Sequence, residues 1–291
     1  GMGELPPGPA QPPSLPDDQF DRTASLRPFD TKAEADAAVA NIKARGRLIV
    51  GLDIGSNLFS FRDPITGDIQ GFDVDIAHEI AGAIFGDDRR VEFQVLSSAQ
   101  RIDALRDMTV DLVIKTMSIT CDRLRDISFS APYYVASQRI LSFRNSNVTG
   151  PAQLADKRVC AARGTTSIGR IQAIQPRAKI VSTTTWADCL VLMQQGQIDA
   201  ATTDDAILAG YSNQAAYKGK FKLVGGTFST EKYGVGLKKG DKDTCTKVND
   251  AIKQMVSDGS WEKALKENLG ADYKYNTETN PPKDADLETC A

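Results

Sequence analysis

The sequence predicts an α/β protein of two open, mostly parallel sheets joined by a two-strand hinge. Three observations carry this. The chain has 291 residues, too many for one small domain and comfortable for two lobes of roughly 100 residues each. A β-α-β-α-β order runs through residues 47–115 and returns over residues 158–203. Extended stretches, Tyr133–Phe143 and Lys232–Leu237, stand where the chain leaves the first unit and where it comes back after the second.

Taken in order, Thr31-Lys32-Ala33-Glu34 has the spacing of a capping box, so an Ala-rich helix runs to about Arg45 and stops at Gly46. Arg47–Leu52 reads as a buried strand and Asp63–Asp68 as a turn. Phe72, Ile76, Ile80, Ala83 and Ile84 mark one face of a helix ending at Gly86. Val91–Leu96 is a second strand, Ser98 starts a helix, and Asp111–Lys115 is a third strand. Alternating strands and helices predict parallel pairing with right-handed crossovers. In the second unit Arg158–Ala162, Ile180–Ser182 and Asp199–Thr203 are strands, separated by helices over Ser167–Gln175 and Trp186–Gln195. Helices Asp241–Val256 and Ser260–Leu269 finish the body. The expected division is a Pro-rich tether (1–29), lobe 1 (30–136 and 232–275), lobe 2 (137–231) and a C-terminal tail (276–291), with crossings near Val135–Ile140 and Thr230–Tyr233.

Composition excludes several classes. Thirty-five basic residues against 38 acidic give a net charge of −3, so there is no global field for nucleic acid or an anionic membrane. No apolar run reaches the ~18 residues needed to span a bilayer. The single histidine, His78, rules out most histidine-dependent chemistry; it lies mid-helix and reads as solvent-facing. Trp186 and Trp261 follow the helix-start residues Thr185 and Ser260 and read as core. Gly1-Met2-Gly3 looks like a cloning remnant, and no charged-then-apolar leader follows it. Seven of the 13 prolines fall within residues 1–30, which suits an extended tether.

Five cysteines occur without a CxxC pair, so neither a metal nor a cofactor is expected. Two disulfides and one free thiol fit the odd count. Cys290 ends a polar, Pro-containing tail that would fray without a staple; Cys245–Cys290 is the first pairing expected and Cys160–Cys189 the second, though spacing alone leaves the connectivity open. Disulfides imply an oxidising compartment.

Open α/β sheets take ligands beyond the carboxyl ends of their strands. After the third strand come Lys115, Thr116, Ser118 and, capped by Thr120, Arg123: amides, hydroxyls and a guanidinium that suit a carboxylate. Arg163-Gly164-Thr165-Thr166-Ser167 is a helix N-terminus able to cradle phosphate or carboxylate, but Arg170-Ile171 stands where a P-loop needs Lys-Ser/Thr. At Asp204-Asp205 one acid suits an ammonium group while the other caps the helix that follows.

These stretches resemble the amino-acid-binding solute receptors of ABC transporters, with the two-lobed periplasmic-binding-protein fold, over roughly residues 45–270. The motifs are Gly71-Phe72-Asp73-Val74-Asp75-Ile76-Ala77, Asp111-Leu112-Val113-Ile114, Ser118-Ile119-Thr120-Cys121-Asp122-Arg123, Phe129-Ser130-Ala131-Pro132-Tyr133-Tyr134, Gly164-Thr165-Thr166-Ser167, and Gly196-Gln197-Ile198-Asp199-Ala200 followed by Asp204. Ser97–Ile102 and Asp204–Gly210 look most like glutamate/aspartate-binding members, and the chain also resembles actinobacterial glutamine-binding lipoproteins.

The resemblance implies that Arg123 holds the ligand α-carboxylate with the Ser118 amide, Thr165 and Thr166. It implies that Asp204 holds the α-ammonium with the Thr116 carbonyl and the Ser118 hydroxyl. Many relatives stack the ligand side chain between aromatic rings near positions 56 and 98, where this chain has Ser56 and Ser98. Arg101 and Lys115 lie there instead, and Asp53 and Gly164 are further lining candidates. Arg123, Arg101 and Asp204 match the two carboxylates and one ammonium of a dicarboxylic amino acid. A non-enzymatic, extracytoplasmic receptor follows, for glutamate or aspartate and then asparagine or glutamine. It would be monomeric, held to the membrane by a lipid anchor, and would serve an ABC permease or a membrane sensor. The alternative is an enzyme on the same fold, such as a cyclohexadienyl dehydratase.

Overall fold

The computed structural model describes residues 15, 20, 26, 29–55, 57–212, 217 and 219–291. Most of the expected tether (1–29) and Ser56 therefore lie outside the described residues. The chain begins with helices α1 (Lys32–Asp36) and α2 (Ala38–Arg45), then strand β1 (Leu48–Leu52) and a small hairpin, β2 (Phe61–Arg62) and β3 (Ile69–Gln70). Helix α3 (Phe72–Phe85), β4 (Val91–Val95), α4 (Arg101–Arg106), β5 (Leu112–Val113), β6 (Ile127–Phe129) and β7 (Tyr134–Ala136) follow. Next come β8 (Gln138–Phe143), β9 (Arg158–Ala162), α5 (Thr166–Ile174), β10 (Lys179–Thr183), α6 (Trp186–Gln194), β11 (Ala200–Asp204), α7 (Asp205–Ser212) and β12 (Phe221–Val224). The chain returns through β13 (Glu231–Tyr233) and β14 (Gly236–Lys238) to α8 (Lys242–Asp258) and α9 (Ser260–Leu269).

These elements form two lobes around two five-stranded sheets, ordered β4-β1-β5-β14-β6 and β10-β9-β11-β8-β12. Each sheet is mixed in the way a mostly parallel sheet allows, with four strands running one way and one against them. In the first, β4, β1 and β5 are parallel, while β14 runs antiparallel to β5 and β6. In the second, β10, β9 and β11 are parallel, and β8 runs antiparallel to β11 and β12. The reason lies in the crossings: β14 and β8 enter their sheets directly from the hinge, with no crossover helix to reverse them. The hinge is the antiparallel pair β7 and β13, in the register Tyr134↔Tyr233, Val135↔Lys232 and Ala136↔Glu231.

The capping box at Thr31 is formed: Thr31 Oγ1 accepts the Glu34 N–H at 3.2 Å, and Glu34 Oε2 accepts the Thr31 N–H at 3.3 Å. The single helix expected from there to Arg45 is broken at Ala37. Asp243, on α8, takes the Val39 N–H at 2.8 Å and so starts a second helix. Gly46, at φ 91°, ends it in the left-handed conformation that favours glycine.

His78 is buried, contrary to the expectation of a solvent-facing residue. Its Nδ1 lies 2.6 Å from the Asp88 carbonyl and its ring meets Phe93 edge-on, while burial lowers its pKa. Arg45 and Asp111 form a buried ion pair, and Asp111 also accepts the Ile49 N–H at 2.8 Å. Beneath the hinge, Phe59, Phe72, Tyr134, Tyr233 and Trp261 are fully or almost fully buried, with ring centroids 5.7–6.3 Å apart. Such aromatic packing stiffens the base from which the hinge strands rise.

Two disulfides are formed. Cys160–Cys189 ties α6 to β9, and Cys245–Cys290 ties the tail to α8; Cys121 is free and exposed. Ala291 adds to the tail's anchorage by exchanging backbone hydrogen bonds with Phe129 at 2.9 and 3.0 Å. Among the described residues no helix is long and apolar enough to cross a membrane.

Candidate ligand-binding site

The cleft between the lobes is walled by the loops that leave the carboxyl ends of the strands. On the first lobe β5 stops at Val113, two residues short of the expected strand end. Lys115 is thereby freed from the sheet, and its Nζ turns to Asp53 Oδ2 and Ser98 Oγ, each at 3.0 Å. Burial pulls the Lys115 pKa down to about 8, against the attraction of Asp53. Thr116 follows at φ 42°, and its N–H is held by the buried Asp73 at 2.9 Å. Asp73 also accepts from Tyr133 Oη at 2.6 Å, and burial raises its pKa to about 7.

Thr120 Oγ1 accepts the Arg123 N–H at 3.1 Å, the capping contact its spacing predicts. The Arg123 guanidinium then reaches into the cleft and donates to the Ser118 carbonyl at 2.6 Å and, across the cleft, to the Gly164 carbonyl at 3.0 Å. Arg101 opens α4 and is only 2% exposed. It donates to three carbonyls: Ser98 at 3.1 Å, Lys115 at 2.9 Å and Gly164 at 3.0 Å. Burial, with Arg123 nearby, lowers its pKa to about 9.

The second lobe presents Gly164, Thr165 and Thr166 at the start of α5. Gly164 sits at φ 75°, and a Cβ there would lie 2.7 Å from the Ala99 backbone of the first lobe. Glycine is needed twice over, for the turn and for the approach. The Thr165 hydroxyl donates to the Ala162 carbonyl at 2.7 Å, so what it offers a ligand is its N–H and its oxygen. The first amides of α5 have no intrahelical partner, and Thr165, Thr166 and Ser167, which open it, line the cavity.

At the end of β11, Asp204 and Asp205 divide. Asp205 Oδ1 accepts from Ser137 at 3.2 Å and Ala206 at 2.8 Å. Asp204 lines the cleft, where Oδ2 accepts from Tyr233 Oη and Oδ1 is buried without a hydrogen-bond partner among the described residues. Burial, and then Glu231, raise the Asp204 pKa to about 8.

Asp53, Ser98, Arg101, Lys115, Thr116, Ser118, Arg123, Thr165, Thr166 and Asp204 thus come together around one cavity. Gly164 contacts the opposite lobe at the rim, and Ser56 lies outside the described residues. Trp186 is buried in the core, as its reading expected, and its edge of that core also lines the cavity. It opens α6 directly after β10, so the strand-end rule that picked out the other loops also reaches it. Ala162, Ser167, Thr203 and Ile207 complete the lining and were missed, since small and apolar side chains carry no chemical signal of their own.

Two lobes closing over a buried polar cleft form a receptor for a small solute. The chain belongs to the bacterial extracellular solute-binding proteins, family 3, whose model matches residues 48–271. It is 32% identical over 229 residues to the ABC transporter glutamine-binding protein GlnH of Bacillus subtilis, covering 78% of this chain and 83% of that one. It is 31% identical over 257 residues to the glutamate-binding protein GluB of Corynebacterium glutamicum, covering 84% of each. Among solved structures, the ancestral amino acid-binding protein AncCDT-1, a precursor of cyclohexadienyl dehydratase, superposes with a TM-score of 0.73 at 31% identity, covering 80% of this chain and 99% of that one.

Proposed function

We propose that this receptor captures an acidic amino acid, L-glutamate or L-aspartate first and asparagine or glutamine next. The observation that carries this is the charge of the cleft. Its lining holds three cations, Arg101, Lys115 and Arg123, and two acids, Asp53 and Asp204. Lys115 and Asp53 neutralise each other, which leaves two guanidinium groups and one carboxylate. A dicarboxylic amino acid carries the complementary set. A buried carboxylate without a counterion costs several kcal/mol, so a neutral cleft would reject it.

In this reading Arg123 holds the α-carboxylate, with the amides of Ser118, Thr165 and Thr166. Asp204 Oδ1 takes the α-ammonium, helped by the Thr116 carbonyl and the Ser118 hydroxyl. Arg101, which keeps unused N–H groups on its terminal nitrogens, and Lys115 meet the side-chain carboxylate. The names of the Bacillus and Corynebacterium relatives support the ligand class. The loaded receptor is delivered outside the cytoplasm to an ABC permease or a membrane sensor, as a lipid-anchored monomer.

Calorimetric titration of the twenty amino acids into protein unfolded and refolded to strip carried-over ligand tests the reading. Binding confined to Glu, Asp, Asn and Gln, with the acids tighter, is expected. Tighter binding of a neutral or basic amino acid would overturn it. The second reading, an enzyme on the same fold, draws on the proton that Asp204 retains near neutral pH. Release of product from prephenate or arogenate would establish it.

A further inference from the structure

The hinge ribbon is anchored on both of its edges, and the C-terminal tail supplies one anchor. Val135, in the middle of β7, donates its N–H to Asn280 Oδ1 at 2.8 Å, and its carbonyl accepts from Asn280 Nδ2 at 2.9 Å. One carboxamide offers a donor and an acceptor, as a peptide group does, and stands in for a neighbouring strand. Asn280 is 2% exposed. Across the ribbon, the partner of Val135 is Lys232, whose carbonyl accepts the Ile119 N–H at 2.8 Å. At this one level both edges are bound to the first lobe. The tail is itself fixed to that lobe by Cys245–Cys290 and by Asn249 Nδ2, which donates to the Thr289 carbonyl at 2.8 Å.

Two residues further on, Ser137 is bound to the second lobe. Its N–H donates to Asp205 Oδ1 at 3.2 Å, and its carbonyl accepts the Asp205 N–H at 2.7 Å. Between the two anchors of this strand lies Ala136 alone. On the other strand, Ser229 Oγ accepts the Gln138 N–H of the second lobe at 3.1 Å, and Glu231 Oε1 accepts from Arg170 Nε of that lobe at 3.2 Å, so the backbone passes from second-lobe to first-lobe anchorage between Glu231 and Lys232. Ala136 and Glu231 are cross-strand partners.

We propose that Asn280 is a hinge-positioning residue: it fixes Val135 to the first lobe, so that the lobes turn at Ala136 and at the junction of Glu231 and Lys232. The proposal rests on the reading of two lobes that open and close around a ligand. Hinges are a few residues that absorb the change in φ and ψ. Ile119, which anchors the opposite edge, follows Ser118 in the Arg123 loop. The position of the pivot therefore sets how Arg123 of one lobe meets Gly164 and Asp204 of the other. The tail lies beyond residues 48–271, so this anchor is a feature of the chain outside the family match.

Asn280→Leu keeps the size and removes both hydrogen bonds. Amide hydrogen exchange at Val135 in ligand-free protein and the L-glutamate dissociation rate test the proposal together. In Asn280→Leu the Val135 amide should exchange roughly fivefold faster or more, the equivalent of one net hydrogen bond. Glutamate should leave faster by a similar factor, while protection at Ser137 stays. A Val135 amide unprotected in the wild type would overturn the proposal. So would an Asn280→Leu protein that loses Val135 protection but releases glutamate at the wild-type rate. Should Asn280→Leu not fold, Asn280→Ala, which also removes both the donor and the acceptor, is read by the same measurements. If glutamate gives no signal with the wild type, the functional reading fails instead. The anchor then stands or falls on the change in Val135 exchange alone.

Discussion

Lys115 Nζ lies 3.0 Å from Asp53 Oδ2, so the cation at the side-chain end of the cleft is answered by an acid 62 residues earlier in the chain. Both groups are buried. Lys115→Met leaves Asp53 as an uncompensated negative charge beside the ligand, and Asp53→Asn leaves Lys115 as an uncompensated positive one. Lys115→Met should weaken glutamate relative to glutamine by about tenfold or more, and Asp53→Asn should shift the ratio the other way. Calorimetry with both ligands on each variant checks this; shifts of the same sign would show that the pair does not set the charge preference.

Arg123→Ala removes the proposed α-carboxylate partner and one of the two donors to the Gly164 carbonyl. Binding of every amino acid ligand should weaken by about 2–5 kcal/mol, the cost of stranding a buried charge. Arg101→Ala should weaken glutamate and aspartate more than glutamine. It should also lower the melting temperature of ligand-free protein, because the Ser98 and Lys115 carbonyls lose the Arg101 donor and Gly164 loses one of its two. Equal losses for all three ligands would remove Arg101 from the side-chain role.

Gly164→Ala places a Cβ 2.7 Å from the Ala99 backbone, which only parting of the lobes relieves. Ligand binding should fall sharply, and small-angle scattering should find no compaction when glutamate is added. The left-handed conformation adds about 1–2 kcal/mol of strain. A variant that compacts like the wild type would show that the lobes do not meet at this point.

Asp204, raised to about 8, and Asp73 and Asp75, each raised to about 7, hold protons in the folded protein that the unfolded chain has lost above about 3.8. The folded state therefore binds more protons between those values, and this contribution to stability falls as pH rises from about 4 to about 8. An ammonium beside Asp204 favours its charged form, so ligand uptake near neutral pH should release a proton from it. Thermal melts across pH, and titration heats in buffers of different ionisation enthalpy, check the two halves. Glutamate binding without proton release would place the ammonium elsewhere.

One thiol of five should react with a disulfide reagent in native protein, and it should be Cys121. Reduction should lower the melting temperature, since each bridge closes a loop worth about 3–4 kcal/mol. More than one reactive thiol in the native state would contradict the pairing.

Much of this architecture was legible because its signals are local. Thr31 and Thr185 cap their helices, Gly46 ends one, and the loops after β5, β9 and β11 converge as strand-end geometry requires. What escaped depends on partners far off in sequence. The break at Ala37 needs Asp243, the burial of His78 needs Phe93 and the Asp88 carbonyl, and the neutralisation of Lys115 needs Asp53. Asn280 shows the same limit. Nothing in Asn280-Pro281-Pro282 announces a strand partner, and the contact exists only because Tyr134–Ala136 is brought beside it.

The two tryptophans stand in opposite circumstances. Trp261 is 1% exposed, with its indole N–H on the Tyr133 carbonyl at 2.9 Å, in packing that the cleft does not reach. Trp186 faces the cavity from the second lobe. The molecule thus carries its own optical gauge. Ultraviolet emission from Trp186 should change colour and yield as the cavity fills, against a constant background from Trp261, and occupancy becomes readable in unlabelled protein.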